Sequence, residues 1–207
     1  MNQPYQAPPD ASKKSLSVGV IVAIVVGGLL LVGVVGVGIL ATLAMYGTKK
    51  YLASAKTAEA KNTVGAISRA AMAAYEREGV GGHALCASRG PAAAGHAPVP
   101  QDFHLVQGKK YTPSTAPGVD YDTGTPAGGW RCLKFAMTQP SYYQYHYVAG
   151  GPWVTKNGDA AGPNGFEAAA KGDIDGNGTP SFFSRTGKVE GAEVKLETNL
   201  YVENELE

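Results

Sequence analysis

The sequence predicts an α+β fold in which a long N-terminal helix, membrane-spanning in its first half and amphipathic in its second, packs on a small antiparallel β-sheet. Three observations carry that reading. From Leu16 to Tyr46 the chain holds no charged side chain, a run well beyond the ~18 to 20 apolar residues that a hydrocarbon span needs. After Gly47 apolar residues recur at helical spacing, and beyond Trp130 the pattern changes to short strand-like runs. With 207 residues and 44% hydrophobic content there is room for one ordinary domain plus an appendage, and a disordered chain is excluded. Basic residues number 18 and acidic residues 17, a formal charge of +1. That balance offers no polyanion-binding surface, so no nucleic-acid partner is expected.

Residues 1–14, MNQPYQAPPDASKK, are polar and Pro-rich with no apolar period, and are expected to be a disordered tail. Residues 15–46 are expected to form a retained transmembrane helix in the lipid bilayer. Two other readings compete with it. A cleaved secretory signal has an apolar region of only ~7 to 15 residues, although Thr42-Leu43-Ala44 has the small residues of a cleavage site. A buried soluble helix of this length needs a much larger protein around it. Gly19, Ala23 and Gly27 share one helical face, where small residues let another helix approach closely in lipid. Lys13 and Lys14 on one side against Lys49, Lys50, Lys56 and Lys61 on the other would, by count, hold the C-terminal domain in the cytoplasm; long domains nevertheless translocate largely regardless of charge.

Residues 47–79 read as an amphipathic continuation of the same helix. Leu52, Ala55, Val64, Ile67, Ala71, Ala74 and Tyr75 recur at helical spacing, with Lys56, Glu59, Lys61, Arg69 and Arg77 elsewhere on the cylinder. Ala is abundant, Gly79 is placed as a C-cap, and only Gly47 and Gly65 weaken the run. Joined to the span, this makes a rod from Leu16 to Glu78, on the order of 95 Å long at 1.5 Å per residue.

Residues 80–129 are rich in Gly, Pro and Ala, too long a loop for a compact domain unless something ties it down. The only cysteines, Cys86 and Cys132, are far apart and in no CxxC pattern. Such a pair reads as a disulfide made in an oxidising compartment, with two buried reduced thiols as the alternative. A bridge closing that loop would contribute ~3 to 4 kcal/mol in the chain-entropy model. In residues 130–207, RCLKFAMT, SYYQYHYVA, GFEAAAKGD, TPSFFSRTG and GAEVKLETNLYV are separated by Gly, Pro and Asn punctuation, which predicts an antiparallel meander of three to five strands. Alternation places Tyr143, Tyr145 and Tyr147 on the helix and Tyr142, Gln144 and His146 outward.

GDIDGNGT, residues 172–179, opens like a calcium loop: Asp173, Asp175, Asn177 and Gly178 fit D-x-[DN]-x-[DN]-G. The match then stops, because Ser184 stands where a bidentate Glu belongs and Pro180 and Phe182-Phe183 follow instead of a helix. Asp175-Gly176 and Asn177-Gly178 are turn pairs, so a strand-to-strand turn is the preferred reading. Asp173, Asp175, Asn177 and the Thr179 carbonyl would supply four oxygens but only two charges, which puts any calcium affinity in the weak range of ~10⁻⁴ to 10⁻³ M. No other cofactor is expected. His83, His96, His104 and His146 lack the spacing of a zinc site. There is no GxSxG, no Walker-type loop and no framed carboxylate pair, so catalytic residues are not expected and the chain does not read as an enzyme. The tyrosine row with Trp153 is a possible stacking surface, but core packing is the commoner use of such a row.

A hydrophobic helix running into an amphipathic one, then a disulfide-tied loop and an antiparallel sheet, resembles the type IV pilin and pseudopilin family. AKTAEAKNTVGAISRAAMAAYERE is similar to the pilin helix leaving the membrane. SYYQYHYVA, FEAAAKGDIDGNGTPSFFSRTGKV and NLYVENELE resemble the sheet strands and C-terminus of bacterial pilin-like proteins. The family carries a Gly before its cleavage site and then Phe-Thr-Leu-Ile-Glu. Here the boundary reads Lys13-Lys14-Ser15-Leu16-Ser17, and no acidic residue stands in the span. The resemblance therefore implies a minor or divergent structural subunit of a type IV pilus or type II secretion-type assembly. Such a subunit would be bitopic in the bacterial inner membrane with its C-terminal domain periplasmic, or at the cell surface if assembled. It would contact itself or other pilin-like subunits through the N-terminal helix. The expectation from a different class is a non-polymerising, membrane-anchored binding module.

Overall fold

A computed structural model describes residues 17–77, 83–88, 97–151 and 164–205. The polar tail with Lys13 and Lys14, Gly79, His96 and Trp153 lie outside the described residues. The chain divides into two units at Lys49–Lys50, and helix α1, Val18–Glu76, contributes to both.

In the first unit every large apolar side chain from Val18 to Tyr46 is exposed. α1 is long and apolar enough there to cross a membrane. Its two threonine hydroxyls bond within the helix: Thr42 Oγ1 donates to Ile39 O at 2.8 Å and Thr48 Oγ1 to Met45 O at 3.0 Å. This is how hydroxyls are tolerated on a helix surrounded by hydrocarbon.

In the second unit α1 buries a stripe of Ala60, Val64, Ile67, Ala71 and Tyr75, the i, i+3, i+4 spacing of one helical face. The stripe starts later than the pattern predicts. Leu52 is 57% exposed and Ala55 is exposed as well; burial begins at Thr57, whose hydroxyl donates to Ala53 O at 3.0 Å and to Glu205 O at 2.8 Å. The C-terminal segment meets the helix at that level, so the preceding turn stays uncovered.

The stripe packs on a five-stranded antiparallel sheet of β1 (Tyr143–Ala149), β2 (Gly165–Gly172), β3 (Ser181–Glu190), β4 (Glu193–Leu196) and β5 (Tyr201–Glu203). β1, β2, β3 and β4 follow as a meander. The last expected run, GAEVKLETNLYV, is split between β4 and β5, which share the same edge of β3: β4 pairs with Gly187–Glu190 and β5 with Phe182–Ser184. Tyr143, Tyr145 and Tyr147 are fully buried and stand opposite Gly172, Ala170 and Ala168. Large rings on one strand therefore lie over small residues on the next. A Cβ at Gly172 would come 2.5 Å from Tyr143 Cδ1, which is why that position has no side chain.

Two expectations are corrected. RCLKFAMT is not a strand: Gly129–Leu133 form the short helix α2, closed by Lys134 at φ +54°. Trp130 is drawn inward, with its indole N–H donating to Ala97 O at 2.9 Å and Tyr121 edge-on at 4.9 Å, and Cys132 is held by Cys86. The outward row of β1 is also not free, since Gln144 is buried and its amide donates to Pro100 O at 2.7 Å and Gln101 O at 3.2 Å. The segment before Gln101 extends the sheet beside β1 by a Val99–Tyr145 bridge, which brings the Pro100 and Gln101 carbonyls to the Gln144 amide.

The Cys86–Cys132 disulfide spans 46 positions with Cα atoms 5.7 Å apart. Tyr147 donates its hydroxyl proton to Cys86 O at 3.1 Å and Arg77 donates to Cys132 O, so the bridge lies between the end of α1 and β1. Further ties hold the long loop. Ala87 pairs with Gly128, Gln107 with Asp173 and Tyr111 with Ser141.

Candidate functional site

The loop from Asp173 to Pro180 joins β2 to β3, as the turn reading expects. Gly176 and Gly178 take φ of +74° and +89°, the left-handed conformation that glycine enters without a Cβ clash. The loop folds around Asp173, which is fully buried. Its Oδ1 accepts the Asn177 N–H at 3.1 Å, and its Oδ2 accepts the Gly178 N–H and the Gln107 amide, both at 3.0 Å. Asp175 is exposed and accepts from the Asn177 N–H at 3.1 Å and the Asn177 amide at 3.0 Å, while Asn177 Oδ1 accepts the Thr179 N–H at 2.6 Å. A buried carboxylate with three donors is well satisfied. The oxygens of Asp173, Asp175 and Asn177 that the calcium reading requires are thus turned to N–H groups, which a cation would have to displace. Among the described residues no three His, Cys, Asp or Glu side chains gather to hold a metal ion.

The backbone of the same residue also docks the loop on this distant segment, since the Gly108 N–H donates to the Asp173 backbone carbonyl at 2.8 Å beside the Gln107 contact to the carboxylate. That partner was not legible in sequence.

A cleft of about 480 Å³ opens beside this segment, lined by Val99, Pro100, Leu105, Val119, Tyr111 and Asp120 among others. At its polar side Asp120 Oδ2 accepts the Tyr111 hydroxyl and the Ser114 N–H, both at 2.6 Å. Burial first, then the hydrogen bond and charge of Asp120, push the Tyr111 phenol up to about 12. Asp120 thereby serves as an anchor for the loop.

The remaining sequence candidates are spread out. Gly19, Ala23 and Gly27 lie on the exposed surface of α1, and nothing stands within 4 Å of where a Cβ on either glycine would be. His83 is exposed with Nδ1 3.3 Å from Tyr75 O, and His104 bonds to Gln107. The row of Tyr143, Tyr145 and Tyr147 is core and presents no stacking surface. Tyr142, from the other row, lies under two ammonium groups instead, Lys56 Nζ at 4.1 Å and Lys110 Nζ at 4.8 Å from its ring centroid, a geometry favoured by the ring quadrupole. No protein-family model, curated protein or solved structure matches the chain.

Proposed function

We propose that the chain is a structural, pilin-like subunit, anchored by α1 and assembled with copies of itself or with related subunits through the apolar part of that helix. One observation carries the reading: a single helix supplies both an uninterrupted apolar stretch and the packing stripe of an antiparallel sheet. An apolar surface of this length requires lipid or other apolar helices around it, and the small residues Gly19, Ala23 and Gly27 allow close approach. The disulfide fits a domain exposed to an oxidising compartment, hence a periplasmic or surface location. No bond-making chemistry belongs to this proposal; the work is burial of apolar helix among neighbours.

Intact-mass spectrometry without reduction, on native membranes and on sheared surface material, tests it. A chain shortened within residues 1–20 and present in the sheared fraction supports assembly. An unshortened chain confined to the membrane would replace this reading with the anchored binding module.

A further inference from the structure

The formal charge of the chain is near zero, yet the second unit gathers cations at one place. Lys61, Gly65 and Arg69 follow one another at four-residue intervals on α1, and with Asn62, Arg185 of β3 and Leu200 they line a cleft of about 430 Å³. Register explains why Arg185 is there. It pairs with Ala168, whose side chain belongs to the core on the helix-facing side of the sheet, so Arg185 projects toward α1. Gly65 lies beside Arg69, whose Nη1 would stand 3.4 Å, an ordinary contact, from a Cβ there.

The charges in the cleft are incompletely matched. Lys61 pairs with Glu205. Arg69 and Arg185 have no ion-pair partner among the described residues, and Arg185 Nε is buried without an acceptor. A buried donor left unpaired is costly, and two guanidinium groups beside a lysine form the planar, forked donor set that recognises oxyanions. A single carboxylate would balance the charge of one guanidinium and leave the other. A dianion with at least three acceptor oxygens matches both.

We propose that this cleft binds a phosphate-type oxyanion, either free phosphate or a phosphate monoester. The test is a titration of the full chain in uncharged detergent, at constant ionic strength, following the arginine Nε–H resonances by NMR. Inorganic phosphate and glycerol phosphate are the two probes. Saturable shifts of the Arg185 and Arg69 signals are expected. Arg69→Gln, on the exposed side of the cleft and safe for the fold, should weaken binding roughly tenfold or more, while Arg131→Gln, whose partner is Asp122 elsewhere, should leave it unchanged. Saturation by free phosphate alone assigns an enclosed small-anion site, and saturation by the ester as well assigns a site open to phosphorylated molecules. Linear, non-saturating shifts with both probes, or equal binding in R69Q, would overturn the proposal.

Discussion

Asp173 shows how one side chain can organise a loop. Its carboxylate is fully buried and holds two loop N–H groups and the Gln107 amide, so Asp173→Ala orphans three donors at once. We expect a loss of about 3 kcal/mol in equilibrium urea unfolding. Asp175→Ala, exposed and replaceable by water, should cost under ~0.5 kcal/mol. A chelator should leave the thermal midpoint unchanged; a fall of several degrees would restore calcium to the loop. The tyrosines set the alkaline limit. Burial raises the phenols of Tyr145 and Tyr147, the Glu59 carboxylate adding to the effect at Tyr145, and Tyr111 rises to about 12. Unfolded phenols ionise near the ordinary value of 10, so above that pH the folded state binds more protons than the unfolded state. Stability is then full below about pH 10 and lost as pH climbs through 12. Absorbance at 295 nm should report phenolate appearing together with unfolding; smooth ionisation at pH 10 with native near-ultraviolet circular dichroism would contradict the assignment.

At the scale of elements, β1 and β2 are matched by size. Tyr143 lies over Gly172, so Gly172→Ala forces the ring or the strand to move and should cost about 1 to 3 kcal/mol, the range of overpacked cores. The helix stripe gives a paired comparison. Ile67 is fully buried and Leu52 is 57% exposed. Ile67→Ala should lose roughly 2 to 5 kcal/mol and Leu52→Ala within about 0.5 kcal/mol, although both residues fit the same helical period. Urea denaturation of the two variants side by side checks this; equal losses would mean that the sheet unit covers α1 earlier than Thr57.

For the whole molecule, the disulfide is the largest single tie on the Gly- and Pro-rich region. Replacing Cys86 and Cys132 together by Ser should cost about 3 to 4 kcal/mol by loop entropy, measured as a lower denaturation midpoint with a steeper slope, because the unlinked unfolded chain exposes more surface. The loss is distributed, because Ala87, Gln107 and Tyr111 remain bridged to other segments. A loss below about 1 kcal/mol would show that those bridges alone hold the loop.

Local patterns in the sequence were enough to determine the uncharged run from Leu16 to Tyr46, the helical stripe through Val64, Ile67 and Ala71, the alternation of Tyr143, Tyr145 and Tyr147, and the turn at residues 172–179. Each depends on a period or a backbone preference that neighbouring residues carry by themselves. Only the tertiary structure decided the rest. RCLKFAMT has strand-like composition but folds as α2, where Trp130 is held by Ala97 and Cys132 by Cys86. Leu52 keeps the period and loses the cover. Gln144 alternates outward and is buried by a segment far back in the chain. Lys61, Arg69 and Arg185 read as scattered surface charge until β3 is laid against α1. In every case burial and electrostatic company are set by which distant segment arrives, and no local period encodes that.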